Sequence, residues 1–208
     1  MKILHINCHP DFTNDTHATN ILMKYGLELT ESIDHVEILN LYEKNTIPKL
    51  DTNMLSAWSK SDSSQLNEIE SSIIDIQNKL IEQWVSSDMI LIYSPLHNFN
   101  VTSKFKDYID NIFVAGKTFK YTKDGSVGLL SNSKKVAYMQ SSGGDYSTEL
   151  RYVNADISTL YIRTVLSFMG ITEMKEIKAQ GLDIQGRDKS KIIEDAKENL
   201  SNFIKSNL

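Results

Sequence analysis

The 208-residue chain is 40% apolar and 24% charged with only 3 prolines, which excludes a disordered or fibrous protein and fits one α/β domain over residues 1–208. Its 22 basic and 27 acidic side chains give a net charge of -5 with the basic residues scattered, so no nucleic-acid partner is expected. The longest apolar runs, such as residues 89–93, fall far short of the roughly 20 needed to cross a bilayer, and the first residues lack a secretory apolar region. A cytoplasmic address and no membrane partner are therefore expected.

In chain order, strand-like runs occupy residues 2–7, 35–42, 87–95, 134–141 and 173–180, and helical patterns separate them. This alternation predicts a doubly wound α/β fold, a five-stranded parallel sheet with helices on both faces. The third run, Met89-Ile90-Leu91-Ile92-Tyr93, is continuously apolar, as a central strand buried on both faces must be. Leu66, Ile69, Ile73, Leu80 and Trp84 approximate one helical face, and Ile192, Ala196, Leu200, Phe203 and Ile204 another. Residues 160–169 carry apolar groups around more than one side of a helix, which needs cover on two faces and suggests a partner subunit. The connections 45–64 and 116–133 are long for such a fold, and long ordered loops more often serve a site than idle.

Ligands of an open parallel sheet sit outside the carboxyl ends of its strands, which directs attention to three loops. The first, residues 8–18, ends where a helix begins, so Thr16, His17 and the free backbone N–H groups could cradle a phosphate. It contains neither G-x-x-x-x-G-K-[ST] nor G-x-G-x-x-G, which argues against a nucleoside triphosphate or a dinucleotide and leaves a flavin monophosphate compatible. Capping of the next helix by Asp15 or Thr16, with His9 merely solvated, explains the same loop. Cys8, the single cysteine, reads as a bystander and cannot form an internal disulfide.

After the third strand, Pro95-Leu96-His97-Asn98-Phe99-Asn100 stops a buried strand with polar and aromatic groups that could meet a flavin's edge, or could simply turn and cap. After the fourth, Ser141-Ser142-Gly143-Gly144 offers small residues where a planar ring needs close backbone approach, or an ordinary turn. No Cys/His/Asp cluster has metal-binding spacing.

The segments Pro95-Leu96-His97-Asn98-Phe99-Asn100, Ala115-Gly116-Lys117-Thr118-Phe119-Lys120-Tyr121, Gly128-Leu129 and Ser141-Ser142-Gly143-Gly144, in this order and spacing, resemble the FMN-dependent NADH-azoreductase family of quinone reductases. The resemblance runs nearly the full chain. It implies a flavodoxin-like fold, a homodimer with one noncovalent FMN per subunit at the interface, and reduction of quinone and azo acceptors by NADH. It places Pro95, Leu96, His97, Asn98 and Phe99 together with Ser141, Ser142, Gly143 and Gly144 along the flavin ring. His9, Thr16, His17 and Ala18 surround its phosphate, and Tyr121 stands on a loop over the active site. Ala18 stands where the family often has serine, and His9 replaces another hydroxyl. Proton delivery to the acceptor is open between water, Tyr121 and His97. A flavodoxin-type electron carrier and a nucleotide-sensing regulatory subunit are the rival readings, the first lacking its usual strong acidity here.

Overall fold

The computed structural model describes residues 1–130, 133–148 and 155–208. Along them run β1 (Lys2–Asn7), α1 (Ala18–Thr30), β2 (His35–Asn40), α2 (Thr52–Ser59), α3 (Glu68–Ser86), β3 (Met89–Pro95) and α4 (Ser103–Ile112). There follow β4 (Phe119–Thr122), β5 (Gly125–Gly128), β6 (Lys135–Ser142), α5 (Ile157–Met169), β7 (Lys175–Gln180) and α6 (Lys189–Lys205). Five strands form one parallel sheet in the order β2-β1-β3-β6-β7, with Ile3 of β1 in register with Val36 of β2 and Met89 of β3. This is the flavodoxin-like, doubly wound architecture expected. The chain winds outward to β2, returns past β1 to β3, and so opens its crevice at the carboxyl ends of β1 and β3.

Both sheet faces are covered because successive side chains alternate. Ile90 and Ile92 of β3 join Leu4, Ile6, Trp84, Phe105, Tyr108, Tyr138 and Ile162 on one side, against α3, α4 and α5. Met89, Leu91 and Tyr93 join Ile3, Leu22, Met139, Ala196 and Leu200 on the other, against α1 and α6. All five residues 89–93 are fully buried, so the unbroken apolar run has its physical cause in this double burial. Cys8 is equally buried, and burial pushes its thiol well up, which disfavours the thiolate.

A buried hydrogen-bonded chain ties α1 to the sheet. The His5 ring contacts the Tyr93 hydroxyl and the Thr30 hydroxyl, each at 3.1 Å, and Thr30 donates onward to the Gly26 carbonyl at 3.0 Å. Those roles make His5 a neutral ring that accepts from Tyr93 and donates to Thr30. Gly26 is obligatory there, because a Cβ on it would lie 2.0 Å from the Tyr93 hydroxyl.

Three elements differ from the sequence expectation. The 45–64 connection contains α2, started by Asp51, whose carboxylate accepts from the N–H groups of Asn53 and Met54. The 116–133 connection contains the antiparallel hairpin β4–β5, turned at Lys123-Asp124, with Gly125 at φ 123° where β5 begins. Residues 131–132 of that connection lie outside the described residues. In α3 the inward stripe is Glu70, Gln77, Leu80, Ile81 and Trp84, while Ile69 is 61% exposed. Polar residues can begin that stripe because they are satisfied: Glu70 binds Ser56 and Lys60, and Gln77 accepts from Trp58 Nε1 and donates to the Asn111 carbonyl.

Candidate active site

The loop between β1 and α1 holds its shape without glycine. Buried Asn7 accepts the His9 N–H at 2.9 Å and donates to Asn20 Oδ1 at 3.0 Å, while Asn20 donates to the carbonyls of Asp11 and Asn14 at 2.8 Å each. These amides replace the missing strand and helix partners of the turning backbone. Helix α1 then starts at His17 with no side-chain cap and no acidic residue in its first turn, which leaves its N-terminal N–H groups available to an anion. Neither Asp15 nor Thr16 caps it. Asp15 faces Lys24, and Thr16 bonds Asn14.

The loop after β3 is a tight turn closed by reciprocal backbone bonds between His97 and Asn100 at 2.9 and 3.0 Å. Its two central residues, Asn98 and Phe99, have φ of 47° and 67°. Asparagine tolerates this region, but phenylalanine is strained there by about 1 kcal/mol or more, and such strain is retained where a side chain has work to do. The ring of Phe99 meets Tyr146 edge-on at 6.0 Å, and its carbonyl accepts the Ile157 N–H at the start of α5.

The loop after β6 is pinned from both sides. Ser141 accepts the Leu96 N–H through its carbonyl and shares a 2.6 Å hydroxyl contact with Thr19 of α1. The segment after β7 zips onto the same loop, with Gly181, Leu182 and Asp183 donating to the carbonyls of Gly144, Ser142 and Gly143. Asp145 anchors the far end: burial pushes its carboxyl up, yet bonds from Thr148, Ser147 and Arg187 outweigh this and hold it well below the usual carboxylate range.

Between these loops lies a cavity of about 300 Å³ at the carboxyl edge of the sheet. Its lining includes His9, Thr16, His17, Ala18, Pro95, Leu96, Ser141, Ser142 and Gly143, so nine of the residues singled out from sequence converge. His97, Asn98, Phe99, Gly144 and Tyr121 do not line it. The first three form the exposed turn beyond Leu96, Gly144 faces the Tyr146 ring, and Tyr121 is 73% exposed on β4. Thr19, Leu182, Asp183, Lys189 and Ile193 also line the cavity and were missed. The signal was available, since the fifth strand ends on the same sheet edge as the other three.

The two imidazoles dominate one end of the cavity. His9 and His17 stack with ring centroids 4.1 Å apart. Asp11 joins them, its N–H donating to His9 Nδ1 at 3.0 Å and its carboxylate lying 3.1 Å from His17 Nε2. Burial first, then the neighbouring His17, hold the His9 imidazole below its ordinary range. Hydrogen bonds from Asn14 and His17 hold the Asp11 carboxyl below its own. A larger cavity of about 450 Å³ opens at the amino ends of β6 and β7, lined by Lys134, Lys135, Lys175 and Phe203 among others. It gathers none of the carboxyl-end loops, so the smaller cavity is the candidate site. Among the described residues no helix is long and apolar enough to cross a membrane.

Comparison with known proteins agrees with this geometry. The flavodoxin-like fold family matches residues 1–204. The FMN-dependent NADH:quinone oxidoreductase 1 of Bacillus anthracis is 38% identical over 186 residues, covering 86% of this chain and 84% of the relative. Its namesake in Lactiplantibacillus plantarum is 37% identical over 208 residues, covering 96% and 95%. Among solved structures, the FMN-dependent NADH-azoreductase of Bacillus anthracis str. Ames Ancestor in complex with FMN superposes with a TM-score of 0.89 at 33% identity, over 97% of this chain and 96% of that one. With the sheet order, the carboxyl-edge cavity and relatives of this identity over most of their length, the chain belongs to the flavodoxin-like family of FMN-dependent NADH:quinone oxidoreductases.

Proposed function

We propose that this protein is an FMN-dependent NADH:quinone oxidoreductase that also reduces azo compounds, with the carboxyl-edge cavity as its flavin site. The convergence of the β1, β3, β6 and β7 loops on one cavity carries the reading, because its two ends differ as the two ends of FMN do. One end offers the uncapped start of α1 and the His9–His17 pair, donors suited to a phosphate, with Thr16 and Thr19 beside them. The other offers the Pro95–Leu96 strip and the small residues Ser141, Ser142 and Gly143, a surface a flat ring can approach. The donor set therefore fits FMN, and the absence of G-x-G-x-x-G disfavours FAD in the same place.

When bound, FMN would supply two-electron redox chemistry between NADH and a quinone or azo acceptor. The chain's own residues would do the positioning. Leu96, fixed to Ser141 by a 2.8 Å backbone bond, would back one face of the ring. The strained Asn98–Phe99 turn would bound its outer edge, and exposed His97 and Tyr121 are the side chains that, with water, would deliver protons to the acceptor.

With one face backed by protein, NADH and the acceptor must use the other in turn, a ping-pong sequence. Initial velocities over a grid of NADH and quinone concentrations are expected to give parallel double-reciprocal lines. Intersecting lines with a trapped ternary complex would reject the shared position while leaving the flavin reading intact. A protein that binds FMN but oxidises no NADH would support the electron-carrier alternative instead. We also infer a homodimer, supported by the apolar solvent side of α5, where Ile157 is 49% and Leu160 66% exposed.

A further inference from the structure

We propose that the phosphate end of the cavity recognises FMN through one proton shared by the stacked His9–His17 pair, so that flavin affinity is coupled to pH and FMN is selected over riboflavin. The inference rests on the flavin reading given above and adds how its charged end is held.

Charge balance makes the proton necessary. Asp11 of the β1–α1 loop, in contact with His17, is the carboxylate behind this end, while Asp183 and Lys189, from the β7–α6 segment and α6 and 3.3 Å apart, line the same cavity with Asp183 beside Gly143. Asp15 of the same loop is cancelled by Lys24 at 3.3 Å. The β3 and β6 ends bring Pro95, Leu96, Ser141, Ser142 and Gly143 to the ring end of the cavity, none of which titrates. Asp183 and Lys189 cancel each other, so Asp11 leaves the phosphate end at net minus one, a poor setting for a phosphate dianion. One proton on the imidazole pair brings it to zero and puts a cation beside the uncapped start of α1.

Geometry limits the pair to one proton. Cationic rings stacked at 4.1 Å repel, and His9 Nδ1 already accepts the Asp11 N–H, so a proton there would cost that bond. His9 is thereby oriented as a neutral ring with its Nε2–H free to donate, while the Asp11 carboxylate favours the proton on the His17 side. Asp11 links the two rings, through its N–H to His9 and its carboxylate to His17.

The linkage has a definite sign. A bound phosphate raises the proton affinity of the pair, so FMN binds best when the pair is protonated. Its affinity falls, by at most tenfold per pH unit, as pH rises through the titration of the free pair until the complex also loses the proton. On the acid side affinity also falls, because the phosphate loses its second charge below its pKa of about 6. The expected profile is a bell, and riboflavin, lacking the phosphate, should show neither limb.

The test is apoprotein titrated with FMN and with riboflavin, followed by flavin fluorescence quenching from about pH 5 to about pH 9. The wild-type FMN dissociation constant is expected to rise about tenfold between pH 6.5 and 8.5, while riboflavin binding stays flat and His17→Gln loses the alkaline limb. Lys189→Met should weaken FMN at every pH without changing the shape of the curve. Because variants could disturb the loop, the same titration is read in the wild type by the imidazole NMR signals of His9 and His17, which should titrate at higher pH once FMN is added. A flat FMN profile above pH 6.5, an alkaline limb kept by both His9→Gln and His17→Gln, or imidazole signals indifferent to FMN would each overturn the shared proton. Failure to bind FMN at any pH would instead bring down the flavin reading itself.

Discussion

At the scale of single residues, burial decides which groups are available for chemistry, and His5 shows its effect on stability. Burial pulls its imidazole down from the ordinary 6.5 to about 4, because a charged ring would lose water and break the donor–acceptor order set by Tyr93 and Thr30. The folded protein therefore refuses a proton that the unfolded chain accepts. His5 contributes its full stability above 6.5, and that contribution is lost as pH falls from there through about 4. Denaturation at pH 7.5 and pH 4 should differ by roughly 3 kcal/mol through this residue, and His5→Asn, though less stable throughout, should remove that part of the pH slope. Equal slopes in the two proteins would show that His5 is not the group responsible. Exposed ion pairs such as Lys191–Asp195 add little beside this, since water screens them.

At the scale of elements, what the sequence made legible follows what burial imposes on sequence. The sheet strands were readable because both faces are covered and the apolar run cannot be interrupted, as in residues 89–93. The β4–β5 hairpin was not, because Lys120, Tyr121, Gly125, Ser126 and Val127 all face solvent and carry no alternating pattern. Only the turn Lys123-Asp124 with Gly125 after it marked it. In α3 the apolar count misled, since the inward stripe begins with two polar side chains whose partners, Lys60 and Asn111, lie in other elements. The site shows the same division. Residues next to strand ends converge on the cavity, whereas Asp183 and Lys189 reach it only through the zip between the β6 and β7 loops.

That zip also gives the two glycines different neighbours. Gly144, expected to give a ring close backbone approach, would place a Cβ 3.4 Å from the Tyr146 ring, an ordinary contact. On Gly143, which lines the cavity, a Cβ would fall 2.3 Å from the Asp183 carboxylate. The obstacle is the end of an exposed side chain, so Gly143→Val should fold by displacing Asp183 into the cavity mouth. Its FMN dissociation constant should rise by about tenfold or more, with Gly144→Val close to wild type. Flavin titration of the two variants decides it, and the reverse order would move the ring toward Gly144.

At the scale of the whole molecule, several exposed apolar groups gather near the start of α5 and the β4–β5 hairpin. Leu160 and Ile157 lie on the solvent side of α5, and Ile157 is bonded through its N–H to the carbonyl of Phe99, itself 43% exposed. Further along α5, Phe168 packs on Phe119 at 5.0 Å, which meets Tyr121 at 5.4 Å, linking the helix to the hairpin. Exposed apolar groups gathered in this way mark a contact surface, and a second copy is the cover proposed. Light scattering at micromolar concentration should report twice the mass of the chain. Leu160→Glu, at a position 66% exposed, should leave the fold intact and shift the population to monomer by introducing an unpaired charge at the contact. Because the start of α5 holds the Phe99 turn beside the cavity, the monomeric variant should also retain FMN less tightly, although its substitution touches no cavity residue. A wild-type monomer that binds FMN fully would exclude the dimer. A Leu160→Glu monomer with unchanged flavin affinity would keep the dimer but separate it from the site.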